Sequence, residues 1–269
     1  VSSGEALKPL SAICAEVGFE LDSLAAHVLQ RWRRLAERSQ TVRDSERMAS
    51  MARVLFDSVA GTLEAFSEVE RRIVVLGCLF SDIGKTGPAR ADERGQCIII
   101  DIFAVEGVRD DQQSVAQFLS AHFPNDAESR RQALRELGLD LEAPIRAFWN
   151  LHSGWTLEIL EESGAPSEVV AAAATHHLLE EVNPGAIVAP DQRFSRPFGD
   201  NLAFDRAEKL IILLDKYDAV RRRAGLGHDA AIGWLRARVQ RSRRFRNDAD
   251  FSALIDRMSA VLQAGGERL

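Results

Sequence analysis

The stretch GCLFSDIGKTGPA, residues 77–89, decides how this chain is read. An apolar run (Val74, Val75, Leu76, Leu79, Phe80) stops at Ser81-Asp82, and Gly84, Lys85, Gly87 and Pro88 follow at once. The period predicts a buried helix over Val69–Phe80, closed by residues that cannot continue it. A carboxylate and a lysine therefore stand at the inner end of a core helix. An unpaired carboxylate there is costly, so Asp82 is expected to be paired, solvated or metal-bound.

Working outward, most of the chain repeats at helical spacing. Leu10, Cys14, Val17, Leu21, Leu24, Val28, Trp32 and Leu35 form one stripe over residues 9–38. A helix is expected from Ser45 to Phe66 with Met48, Met51, Leu55, Val59 and Leu63 inward. CIIIDIFAVEGV, from Cys97, reads as strand or helix, because a short apolar run does not separate the two. Helices follow at 112–122, 126–137, from Pro144, and through APSEVVAAAATHHLLEEV. NPGAIVAPDQRFSRPFGDN reads as a loop, and three further helices complete the chain. The expected fold is all-α: an N-terminal helical extension over 1–40, then one helical domain over 41–269.

The 269 residues are 46% hydrophobic, enough to bury a sizeable core. A net charge of -6 argues against a nucleic-acid partner. Three scattered cysteines form no disulfide framework and no CxxC zinc pattern, as expected of a cytoplasmic protein. No run approaches the ~20 apolar residues of a membrane span.

Polar groups recur on the apolar faces. His152 lies between Phe148 and Trp155 on one helix stripe, and His176 shares a face with Val169, Ala172 and Ala173, with His177 next to it. Asp215 follows Ile211 by one turn in KLIILLDKYDAV. Each has a structural reading when taken singly: a satisfied core histidine, or an aspartate paired with Arg206 or Lys209. Together, three imidazoles and two carboxylates are the ligand type of a first-row transition-metal site.

In order, these pieces resemble the HD superfamily of metal-dependent phosphohydrolases, most closely its HD-GYP group, over residues 44–225. The matching elements are Ser81-Asp82-Ile83-Gly84-Lys85, His152-Ser153-Gly154, His176-His177 and Leu214-Asp215-Lys216-Tyr217-Asp218-Ala219. The chain departs from the pattern at Asp44, Ser81 and Leu178, which replace two histidines and a glutamate, and it lacks the Gly-Tyr-Pro signature. The long separation of Asp82 from His152 implies an insertion around residues 95–140.

The resemblance implies that Asp82 bridges two metals and that Lys85 contacts phosphate. One metal position would take Asp82, His152, His176 and His177. The other would take the residues at 44, 81, 82 and 215, of which Asp44 can still coordinate and Ser81 is a poor ligand. About one divalent ion (Fe, Mn or Zn) per chain is expected. The implied activity is a phosphodiesterase-type hydrolysis of a nucleotide or cyclic dinucleotide, impaired at one metal position. The alternatives are a catalytically silent domain that binds a nucleotide or a signalling protein, and a diiron oxygenase on the same scaffold. Arg222, in the basic run 221–223, is a second phosphate candidate; the arginines of 236–246 read as a solvated helix face. The stripe of residues 9–38 must be covered by the domain or by a second copy of the chain, a homodimer.

Overall fold

A computed structural model describes residues 7–265. The fold is all-α, with twelve α-helices among the described residues. In chain order they are α1 (Lys8–Glu16), α2 (Ala26–Arg38), α3 (Thr41–Ser58), α4 (Glu68–Phe80), α5 (Glu93–Ala104) and α6 (Val115–His122). Then come α7 (Ala127–Glu136), α8 (Ile145–Glu161), α9 (Ser167–Ala174), α10 (Arg206–Arg223), α11 (His228–Arg241) and α12 (Ala249–Gly265). No helix of the described residues is long and apolar enough to cross a membrane.

Local chemistry sets the helix starts. Ser67 accepts from the Glu70 amide and Glu70 Oε2 accepts from the Ser67 amide, a reciprocal cap that opens α4. Asp205 and Glu208 do the same for α10, and Ser114 and Gln117 for α6. The ambiguous run after Cys97 is helical: Asp92 caps the Gly95 amide at 2.7 Å and starts α5, which carries Ile98, Ile99, Ile100 and Ile102 inward.

Helix α4 is the central element. It packs on α3, α9 and α10, and Val74, Leu76, Cys78 and Leu79 are fully buried. Gly77 lets α10 come close, since a side chain there would overlap Ile211. One hydrophobic cluster runs from Leu10 in α1 to Met258 in α12.

Four expectations need correction. The stripe of residues 9–38 is broken: α1 ends at Glu16, Gly18 takes a φ of 69°, and a 3-10 turn at Leu21–Ser23 leads into α2. Its apolar residues are covered by the chain itself, with Trp32 fully buried beside Phe80 at 6.2 Å between rings, so the stripe supplies no ground for a second copy. Helix α3 starts at Thr41 and ends at Ser58, leaving Leu63 fully exposed in the turn beyond it, where Gly61 takes a φ of 75°. The segment read as a loop contains an antiparallel hairpin, β1 (Arg193–Phe198) and β2 (Asn201–Ala203), turning at Gly199 with a φ of 58°.

Segment 95–140 folds as α5, α6 and α7. The chain leaves it beside the start of α6: the Val115 amide donates to the Ala143 carbonyl and the Ile145 amide to the Gln113 carbonyl, which fixes the entry to α8. The end of α5 places Phe103 against His152, rings 5.5 Å apart and edge-on.

Candidate metal centre

Three backbone devices aim the site. First, α4 ends and a 3-10 turn, Ile83–Thr86, carries Asp82 and Lys85 to the mouth of a cleft. Gly84 presses on the backbone of α8, where a methyl group would overlap the His152 carbonyl. Thr156 fastens the two: its hydroxyl donates to the Ser81 carbonyl at 2.8 Å and accepts from the Gly84 amide at 3.1 Å. Second, buried Arg31 of α2 holds the outgoing loop, donating to Thr86 Oγ1 at 2.8 Å, Pro88 O at 2.9 Å and Ala89 O at 2.8 Å. Third, α9 stops at Ala174, so His176 and His177 lie in a turn, with a 3-10 turn at Leu178–Glu180 behind them.

The imidazoles of His152, His176 and His177 converge, each with one nitrogen within 4.8 Å of the others'. Their tautomers follow from their neighbours. His152 Nδ1 lies 2.5 Å from the Trp149 carbonyl, and His176 Nδ1 lies 2.6 Å from the Ala173 carbonyl. A carbonyl can only accept, so both Nδ1 atoms carry the proton and both Nε2 atoms present lone pairs. Those two Nε2 atoms face each other at 2.9 Å. Asp82 Oδ1 joins them, 3.3 Å from His152 Nε2 and 4.0 Å from His176 Nε2.

Three acceptors thus point at one another in a buried place. Burial first, then the neighbouring His177 and His152, holds His176 well below the usual histidine range, which favours its neutral, lone-pair-bearing form. Each buried acceptor without a donor costs about 1–3 kcal/mol, which a cation relieves. The donor set fits a metal: neighbouring ligands on ~2.1 Å bonds are ~3.0 Å apart at a right angle and ~3.4 Å apart at a tetrahedral one. The two carbonyls at Nδ1 are the outer partners that metal-bound imidazoles use to stay oriented.

The rest of the centre is held by cations. Lys85 Nζ takes the other oxygen of Asp82 at 2.6 Å. Burial pushes Asp82 up, but Lys85 and then His152 and His176 outweigh it and keep the carboxylate well below its ordinary range. Lys216 lies 2.8 Å from Asp215 Oδ2, 2.8 Å from Glu180 Oε2 and 2.9 Å from His177 Nδ1. His177 Nδ1 also contacts Glu180 Oε2. Burial and Lys216 lower His177 to about 4.

Asp44, on α3, gives one oxygen to Arg47 and the other to Arg222 at 2.8 Å. Arg47 in turn donates to Asp218 at 2.9 Å. Burial pushes the Asp44 carboxyl up against the pull of Arg222 and Arg47. Ser81 is fully buried, and its hydroxyl reaches back to the Cys78 carbonyl at 3.4 Å.

The structure therefore brings Asp82, His152, His176 and His177 together, and it lines one cleft of about 1960 Å³ with Asp44, Asp82, Lys85, His152, Asp215 and Arg222. Both oxygens of Asp44 are engaged by guanidinium groups, and Asp215 is tied to Lys216. Sequence reasoning missed Glu180, Lys216, Arg47 and Thr156. Lys216 carried a signal, a second charge beside Asp215 in an otherwise apolar run. Leu178 is buried, and the carboxylate beside His177 is that of Glu180. No protein-family profile matches the chain, and no curated protein and no solved structure is significantly similar to it.

Proposed function

We propose that this chain holds one divalent transition metal through His152, His176, His177 and Asp82, and acts on a phosphate ester of nucleotide type in the adjoining cleft. The observation that carries this reading is the pair of Nε2 lone pairs facing at 2.9 Å beside a carboxylate oxygen, with each Nδ1 already committed to a carbonyl. The ordered resemblance to the HD superfamily supports the same assignment and the hydrolase class.

When bound, such an ion supplies Lewis acidity and lowers the pKa of a coordinated water. The protein's own residues do the remainder. The Trp149 and Ala173 carbonyls hold two imidazoles in the ligating tautomer. Lys85 keeps Asp82 ionised and stays at the cleft surface, where its ammonium reaches an anionic oxygen of the substrate. Arg222 and Arg146 line the same cleft and add charge for phosphate. Phe103 closes one side of His152 with an apolar edge, which limits water around the imidazole.

A second reading, a domain that binds a nucleotide without turnover, is favoured by the engagement of Asp44 and Asp215 with basic side chains. Both are tested together. Purified full-length chain is incubated with excess Mn²⁺, Fe²⁺ or Zn²⁺, desalted and counted by elemental analysis; one ion per chain is expected. Hydrolysis of bis(p-nitrophenyl) phosphate and of cyclic dinucleotides by the loaded protein is the hydrolase outcome, and nucleotide binding without product is the binding-domain outcome. A count of zero with all three metals overturns the metal centre.

A further inference from the structure

Lys216 is nearly buried, and its ammonium is surrounded by groups that call for a cation. Asp215 Oδ2 and Glu180 Oε2 are each 2.8 Å away and His177 Nδ1 is 2.9 Å away. Two carboxylates around one positive centre could equally surround a divalent ion, while His177 Nδ1, in contact with Glu180 Oε2, carries its proton and helps to hold that carboxylate. The two carboxylates come from separate places: the 3-10 turn after His177 and the middle of α10. Arg146 takes the other oxygen of Glu180 at 3.1 Å, so that carboxylate is fixed from both sides. Burial opposes the charge on Lys216, yet Asp215 and Glu180 raise its pKa above the ordinary lysine value. Asp215, which burial alone would push up, is brought down to about 2, chiefly by Lys216.

We propose that the Lys216 ammonium is a built-in replacement for a second metal ion, filling the cation position between the carboxylates of Asp215 and Glu180. The inference rests on the one-metal reading above for the first ion and adds why a second is not taken. Ser81 removes one ligand from the weaker position, and Lys216 withdraws Asp215 from it. A fixed ammonium gives N–H donors to an anionic oxygen but offers no coordination site for water.

The experiment compares the full-length wild-type chain with Lys216→Met and Lys216→Arg. Each is incubated with excess Mn²⁺, desalted and counted by elemental analysis, with circular dichroism as the fold control. The expected counts are one for wild type, two for Lys216→Met and one for Lys216→Arg. In Lys216→Met the added ion should also raise the melting temperature in a second, separate concentration step. Wild type at one with folded Lys216→Met also at one overturns this inference and leaves the metal centre standing; wild type at zero overturns the metal centre itself. A second measurement needs no variant. With ¹⁵N-lysine protein, the Lys216 ammonium resonance should persist, still coupled to Asp215, after one equivalent of Zn²⁺. Its displacement by that equivalent overturns the proposal.

Discussion

On one side of the cleft, Asp82 Oδ1 faces two imidazole Nε2 atoms that lie 2.9 Å from each other. On the other side, Asp44 and Asp218 share Arg47 and Arg222 and have their charges met within the protein. Both sides bury carboxylates, so a buried acid does not by itself mark a metal site. The difference lies in the neighbours' remaining capacity. Guanidinium groups engage both oxygens of Asp44, whereas on the other side Lys85 engages only Oδ2 of Asp82 and leaves Oδ1 facing imidazole nitrogens. The far end of α10 makes the same point: Lys209 sits 2.8 Å from Asp248 and 2.6 Å from Asp250, a buried lysine between two acids with no imidazole beside it.

The comparison can be broken in several places. Gly84→Ala carries the largest expected effect, because the methyl group would be driven into the His152 carbonyl and to 2.7 Å from the Thr156 amide. A loss of about 3 kcal/mol in urea unfolding is expected, with metal uptake abolished; wild-type stability would show that the turn and α8 are not locked together. Next, His176→Ala should weaken metal binding by ~10² or more in a competitive chelator titration, while the fold holds by circular dichroism. Unchanged affinity would remove His176 from the ligand set.

Smaller effects sharpen the contrast. Thr156→Val keeps the shape but strands the Ser81 carbonyl and the Gly84 amide, so about 1–2 kcal/mol of stability should be lost. Metal affinity should fall with it, since Asp82 loses its anchor; stability lost with affinity intact would mean the anchor is structural alone. Arg222→Met touches the completed side and should cost less, about 1 kcal/mol or under, because Asp44 keeps Arg47. Its metal count should stay at one while inorganic phosphate binding by the loaded protein weakens. A count that rises to two would assign Asp44 to metal and erase the distinction between the two sides.

Much of the fold was legible along the chain. Helices α4, α8 and α10 announce themselves by apolar period. The break between α1 and α2 and the early end of α3 were less visible, because a stripe of apolar residues continues across Gly18 and Gly61 while the backbone turns there. The hairpin at Arg193–Ala203 was hidden by its turn residues, which read equally as loop. At the site, residue type and order singled out Asp82, His152, His176 and His177, since imidazoles and acids on apolar faces stand out against their neighbours. Their partners did not stand out. Thr156 is one of many hydroxyls on the chain, Arg47 is unremarkable among the charges of α3, and Arg222 reads in the sequence as a phosphate contact and not as the partner of Asp44.

What the sequence by itself determined is most of the helices and which of their faces carry polar groups, because apolar period and burial cost act within one segment. Which nitrogen of His152 and His176 bears the proton was settled by carbonyls one turn away in folded backbone, and whether Asp44 and Asp215 are free or paired was settled by Arg222 and Lys216. Protonation and pairing depend on distances of a few ångströms between side chains whose residues lie on different helices or turns. Such distances exist only once the helices have packed, and there the tertiary structure made the choice.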